Sequence, residues 1–168
     1  YFGEPKTLHA PVKPHHPGVG QVWVDTQFEK MKEKTKPGTA TAINASSFHV
    51  MRKVGLPTAF NGEGLNNPHN MWTDKDQKVI YQTEWFDNRV TVFDRHSGKF
   101  LTSYDFGVNG PAPAHVMTRM TSDPAHKDDV HVSLNGGNDV AEFSPFAKGF
   151  NWSRYIPMGN TPDEPVHP

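Results

Sequence analysis

The chain has 168 residues, 35% of them hydrophobic and 21% charged, with a net charge of −1. That balance fits a globular protein and excludes both a disordered chain and a surface built for nucleic acid. No stretch approaches the roughly 20 apolar residues of a membrane span. The lack of Cys excludes disulfides, thiolate nucleophiles, thiolate-held metal clusters and covalent haem attachment within this chain.

In chain order, the opening Tyr1-Phe2-Gly3 carries neither Met nor a signal peptide, so a processed or incomplete chain is expected. Fifteen Pro and fourteen Gly favour many short strands over long helices. Gly3, Gly55, Gly107 and Gly159 recur every 52 residues and mark a repeat. The first unit, 4–55, holds predicted strands at 21–25, 39–43 and 48–54. The polar Glu29-Lys30-Met31-Lys32-Glu33-Lys34 between the first two reads as a solvated hairpin extension. The second unit, 56–107, starts with a loop insertion at 58–64. Its opening strand lies within 65–73 and further strands at 78–82, 89–93 and 100–106. The third, 108–159, repeats this at 112–121, 129–133, 139–143 and 150–156. Residues 1–3 would end a preceding unit, and 160–168 begin another.

Four short strands per unit of roughly 40–50 residues predict an all-β fold, a β-propeller. Three units do not close a ring, so about three four-stranded blades of a larger ring, of about seven blades, are expected. The remaining blades would come from elsewhere, and the isolated chain is expected to be poorly soluble.

A histidine recurs near each opening strand: His9, His69, His115 and His167. The innermost strand of a blade lines the channel, so these imidazoles would converge on one axial spot. Imidazole suits copper, zinc, iron and nickel, and without thiolates copper is the first choice. The same histidines could instead be structural, each bonding the neighbouring blade. His15 and His16 fall in a turn, and His49, His96, His126 and His131 on outer strands or turns. Glu84, Asp87, Arg89 and Arg119 are candidate polar residues of the channel or top face. Asn44-Ala45-Ser46 and Asn151-Trp152-Ser153 match the glycosylation pattern. No phosphate-binding Gly-rich loop or Gly-x-Ser-x-Gly elbow occurs.

The segments Val79-Ile80-Tyr81-Gln82-Thr83-Glu84, Asn88-Arg89-Val90-Thr91-Val92-Phe93-Asp94 and Ser97-Gly98-Lys99 resemble the YVTN-type propeller repeat. So does Val130-His131-Val132-Ser133-Leu134-Asn135-Gly136-Gly137-Asn138-Asp139-Val140. With the blade-initial Pro-His added, most of 3–168 resembles the nitrous oxide reductase-like propeller group, which includes copper thiocyanate dehydrogenases. This resemblance implies His69, His115, His167 and His9 as copper ligands, with haem in the channel as the alternative cofactor. It implies part of an exported, periplasmic or secreted, respiratory-type oxidoreductase acting on a small inorganic substrate. A redox partner protein would then be needed. The other expectation is a non-catalytic propeller serving as a protein-binding or scaffold subunit.

Overall fold

A computed structural model describes residues 18–31, 34–55, 65, 67–107 and 112–159. Its strands are β1 (Gln21–Met31), β2 (Lys34–Asn44), β3 (Val50–Gly55), β4 (Pro68–Thr73), β5 (Val79–Glu84) and β6 (Arg89–Asp94). They continue with β7 (Phe100–Asp105), β8 (Pro113–Thr118), β9 (Val130–Leu134), β10 (Asp139–Phe143) and β11 (Ser153–Pro157). Three antiparallel sheets result, in the orders β1-β2-β3, β4-β5-β6-β7 and β8-β9-β10-β11. These are three consecutive propeller blades, the all-β fold that the repeat predicts.

The polar stretch after residue 28 continues the first hairpin, pairing Glu29 with Lys36 and Met31 with Lys34. Six helix-favouring residues are too few to nucleate a helix, whereas extending a ladder adds hydrogen bonds at each step.

The core lies between blades rather than within one. Strand β5 is buried along its whole length because its alternate side chains face two different neighbours. Ile80 and Phe93 pack with Ala40, Val54 and Leu65 of the first-blade side. On the opposite face Val79, Tyr81, Val90 and Val92 pack with Val116, Val130, Val132, Leu134, Ala141 and Phe143 of the third blade. Tyr104 stacks on Phe143 with centroids 4.1 Å apart, and Phe106 and Phe150 meet Phe143 edge-on.

Side-chain hydroxyls stitch the blades together. Thr83 Oγ1 accepts the Asn70 N–H at 3.0 Å and donates to the Ala114 carbonyl of the next blade at 2.7 Å. Thr118 Oγ1 donates to the Thr73 carbonyl at 2.7 Å, and Tyr81 Oη accepts the Phe146 N–H at 3.0 Å.

The blades align residue by residue. Asn67 and Ala112 both have positive φ, 57° and 56°, and each precedes a proline, Pro68 or Pro113. Their carbonyls accept from Trp85 N–H and Asn135 N–H respectively. The Asn70 N–H bonds to Thr83 Oγ1 as the His115 N–H bonds to Ser133 Oγ. Asn70 is therefore the counterpart of His115, and His69 the counterpart of Ala114.

Candidate functional site

The site sits where β4 and β8, the inner strands of the second and third blades, run side by side. His9 and His167, and with them His15 and His16, lie outside the described residues. Of the four candidate ligands, His69 and His115 are described. Their rings stack with centroids 5.5 Å apart and planes within 7°.

The two histidines reach this stack from different positions. One follows its proline directly and the other stands two residues after its proline. The sequence spacing suggests one repeated position per blade, but the ladder puts them one residue out of step. Each inner strand carries a register shift at this point, between Pro68 and Met71 and between Pro113 and Val116. Such an irregularity re-aims side chains locally.

His69 is held on two further sides. Its Nδ1 lies 3.4 Å from Gln27 Nε2, and Trp85 meets the ring edge-on with centroids 4.8 Å apart. Gln27 and Trp85 stand at the same register position of their blades, Gln27 within β1 and Trp85 directly after β5. The strand pairing shows this: Thr26 lies opposite Thr39 in the first blade as Glu84 lies opposite Arg89 in the second. The channel end of the first blade thus helps to orient a histidine of the second.

Two buried carboxyl groups sit on strands that contact β4, Asp25 on β1 and Glu84 on β5. Asp25 occupies in β1 the place that Thr83 and Ser133 hold in β5 and β9. Its Oδ2 accepts from Gln82 Nε2 at 3.2 Å, and its Oδ1 is buried with no hydrogen-bond partner. Burial pushes the Asp25 carboxyl up to about 6 from the ordinary 3.8, and the Gln82 bond offsets only part of that. Glu84 is 1% exposed, immediately precedes Trp85, and accepts from Thr91 Oγ1 at 3.3 Å.

The other expected polar residues lie apart from the stack. Asp87 and Arg89 pair with each other at 3.5 Å beside the turn between β5 and β6. Arg119 is exposed beyond the end of β8. His131 is not simply solvated: its Nε2 lies 3.2 Å from the buried Glu142, which also binds Arg154. Burial pushes the Glu142 carboxyl up, but Arg154 and His131 together outweigh that and hold it low.

Among the described residues no three His, Cys, Asp or Glu side chains group as a metal site. Gln27 and Trp85 are the neighbours of His69 that sequence reading missed, and Asp25 is a buried carboxyl that it passed over. The signal available for Asp25 was a carboxylate after the run Val22-Trp23-Val24, at a position where the other blades carry a hydroxyl, Thr83 or Ser133.

No protein-family model and no curated protein matches this chain. Among solved structures it is similar to hydrazine synthase of Kuenenia stuttgartiensis, at 15% identity and TM-score 0.51, over 65% of this chain and 27% of that one. It is also similar to candidate 6-phosphogluconolactonases of Bacteroides fragilis (14% identity, TM-score 0.46, 83% of this chain and 34% of that one) and Bacteroides uniformis (14%, 0.49, 80% and 37%). The chain spans about a quarter of the length of the first and about a third of the other two. At this identity the likeness to hydrazine synthase shows the fold alone, a β-propeller.

Proposed function

We propose that these blades belong to an exported respiratory-type oxidoreductase in which His69 and His115 help hold copper at the channel, acting on a small inorganic substrate. The observation that carries the reading is the stacked imidazole pair, contributed by inner strands of adjacent blades. Imidazole nitrogens are good ligands for copper. An imidazole binds a metal in its own plane, so stacked rings direct their lone pairs along separate parallel planes. That suits neighbouring ions of a cluster more directly than one shared ion. His9 and His167 would supply further imidazoles.

Bound copper would supply one-electron chemistry. The chain's own residues orient and protect. The Gln27 amide nitrogen faces His69 Nδ1 and helps to fix the orientation of the ring. The Trp85 indole covers one edge of the ring. The Asp25 carboxyl, raised to about 6, can hold or release a proton near neutral pH.

Metal analysis of the purified protein tests the reading. Copper is expected in the wild type and largely lost in His69→Ala/His115→Ala. Wild-type protein without copper overturns it, and a haem absorption band in its place assigns the channel to haem.

A second reading, a non-catalytic scaffold propeller, is favoured by the contacts of His69 with both Gln27 and Trp85, since they tie two blades together. On that reading His69→Ala lowers the melting temperature and leaves metal content unchanged.

A further inference from the structure

Each blade has a leading face, turned to the blade after it, and a trailing face, turned to the blade before. Trp23 packs into the core shared with the second blade, so Val22 and Val24 stand on the trailing face of the first. Val22 pairs with Ile43, and Ile43 with Val50, an apolar row across three strands. Val50 is 63% exposed, Val22 46% and Val24 43%. The second blade shows what such a row does. Ile80 pairs with Phe93 and Phe93 with Phe100, and both blades shift register at the same place, before Ile43 and before Phe93. Ile80, Phe93 and Phe100 are thus the counterparts of Val22, Ile43 and Val50, and they pack on Ala40 and Val54 of the blade before.

The leading face of the third blade is built like that of the first. Asp25 and Ser133 hold the same place, and their partners are Ala40 and Val140. Val140 pairs with Ile156 as Ala40 pairs with Val54, and Arg154 stands opposite Glu142 as Arg52 stands opposite Ala42. The second blade has Tyr104 and Thr102 at these places. A further residue marks the contact. Gly98 lies so close to the first blade that a β-carbon on it would meet Val54 and Arg52. Its counterpart in the first blade is Phe48, since each donates its N–H to the carbonyl of Asp94 or Asn44 at 2.8 Å. Phe48 is 42% exposed. Its ring stands where a preceding blade would bring the residues equivalent to Val54 and Arg52. In the third blade these are Ile156 and the exposed Arg154, and a guanidinium over an aromatic face is attracted to it.

We infer that the trailing face of the first blade docks on the leading face of the third blade of a second copy of this chain. The contact continues, residue by residue, the one that the chain already makes between its first and second blades. Ile156 and Val140 cover the row Val22-Ile43-Val50, and Arg154 and Ile156 part to receive the Phe48 ring. Two copies of three blades each, joined in this way at both ends, close a ring of six, within the roughly four to eight blades of propellers. A head-to-tail contact that closes leaves no blade face open for further growth. The inference is independent of the copper reading.

Sedimentation velocity of the full chain over a concentration series tests it, with a dimer expected. Val22→Lys/Val50→Lys alters one face and Ile156→Lys the other, and each should weaken the dimer by at least about tenfold. Mixed in equal amounts, the two variants should form a dimer again, because one of the two contacts in the mixed ring is then unaltered. That recovery also shows that both variants are folded. A wild-type chain that stays monomeric overturns the inference and assigns the open faces to blades of another chain. If Ile156→Lys pairs like the wild type while Val22→Lys/Val50→Lys does not, trailing faces meet each other and the head-to-tail contact is wrong. Oligomers that keep growing with concentration overturn the closed ring.

Discussion

Asp25 shows how one residue can break a repeat. Where the next blades use a threonine or serine hydroxyl, this blade uses a largely buried carboxyl that is pushed up to about 6. The unfolded carboxyl titrates near 3.8, so the folded state favours the protonated form. Stability is fullest below the unfolded value and falls as pH rises through about 6. A shift of this size corresponds to at most about 3 kcal/mol at roughly 1.4 kcal/mol per unit. Asp25→Asn should flatten the fall between about pH 4 and 6 and raise stability above pH 7 by about 1–2 kcal/mol. Urea melts across that range measure it, and an unchanged pH slope in the variant counts against it. A second residue shows strain. Phe48 has φ 58° in a turn where the second blade places Gly98 at 74°. A side chain with a β-carbon is disfavoured there by about 1–2 kcal/mol, part of which the greater freedom of glycine in the unfolded chain cancels. Phe48→Gly should stabilise by up to about 1 kcal/mol, read as a higher melting temperature.

Among the strands, β5 carries the most connections. Its two faces fill two different cores, and near its end Thr83 joins the inner strand of its own blade to that of the next. Thr83→Val keeps the shape but removes both hydrogen bonds. It leaves the Asn70 N–H and the Ala114 C=O without this partner inside the protein. The expected cost is about 2–3 kcal/mol, whereas Thr83→Ser should recover most of it. Chemical denaturation of the two variants separates a lost hydrogen bond from lost packing, because serine has the hydroxyl without the methyl. The inner strands also explain the histidine pair. A shift in the ladder of β4 and of β8 lets residues one step out of register approach within stacking distance.

Across the molecule, each blade buries itself against its neighbours, as expected where repeats cannot bury their apolar faces alone. Phe143 links the second and third blades through aromatic contacts to Tyr104 and Phe106, and meets Phe150 within its own blade. Phe143→Ala should cost about 3–5 kcal/mol. Guanidinium unfolding measures it, and a loss below about 1 kcal/mol would mean that the interface relaxes around the cavity. The exposed wall of β4 and β8 is built differently, with imidazole, thioether and indole groups in place of close-packed aliphatics.

Much of this was legible in the residues. The turn residues and the alternation of short apolar runs carry the repeat, because each blade must meet the same geometric demands; the glycine ladder is two residues out at its first step, where Gly55 pairs with Thr39 as Asp105 pairs with Arg89. They locate the strands to within a few residues, except where the first hairpin runs on through its polar stretch. The place of His69 and His115 on the inner strands was legible too, since each stands close after a blade-initial proline. Their relation was not. Counting along the chain treats the two as equivalent, while the strand ladder makes Asn70 the true counterpart of His115. Gln27 comes to His69 from another blade and Trp85 from just after the next strand, and no local pattern announces such neighbours. The sequence by itself determined the repeat and the fold class, because backbone pairing and turn chemistry are local. Only the tertiary structure decided which side chains meet at the channel, because that depends on ladder register and on how one blade packs against the next.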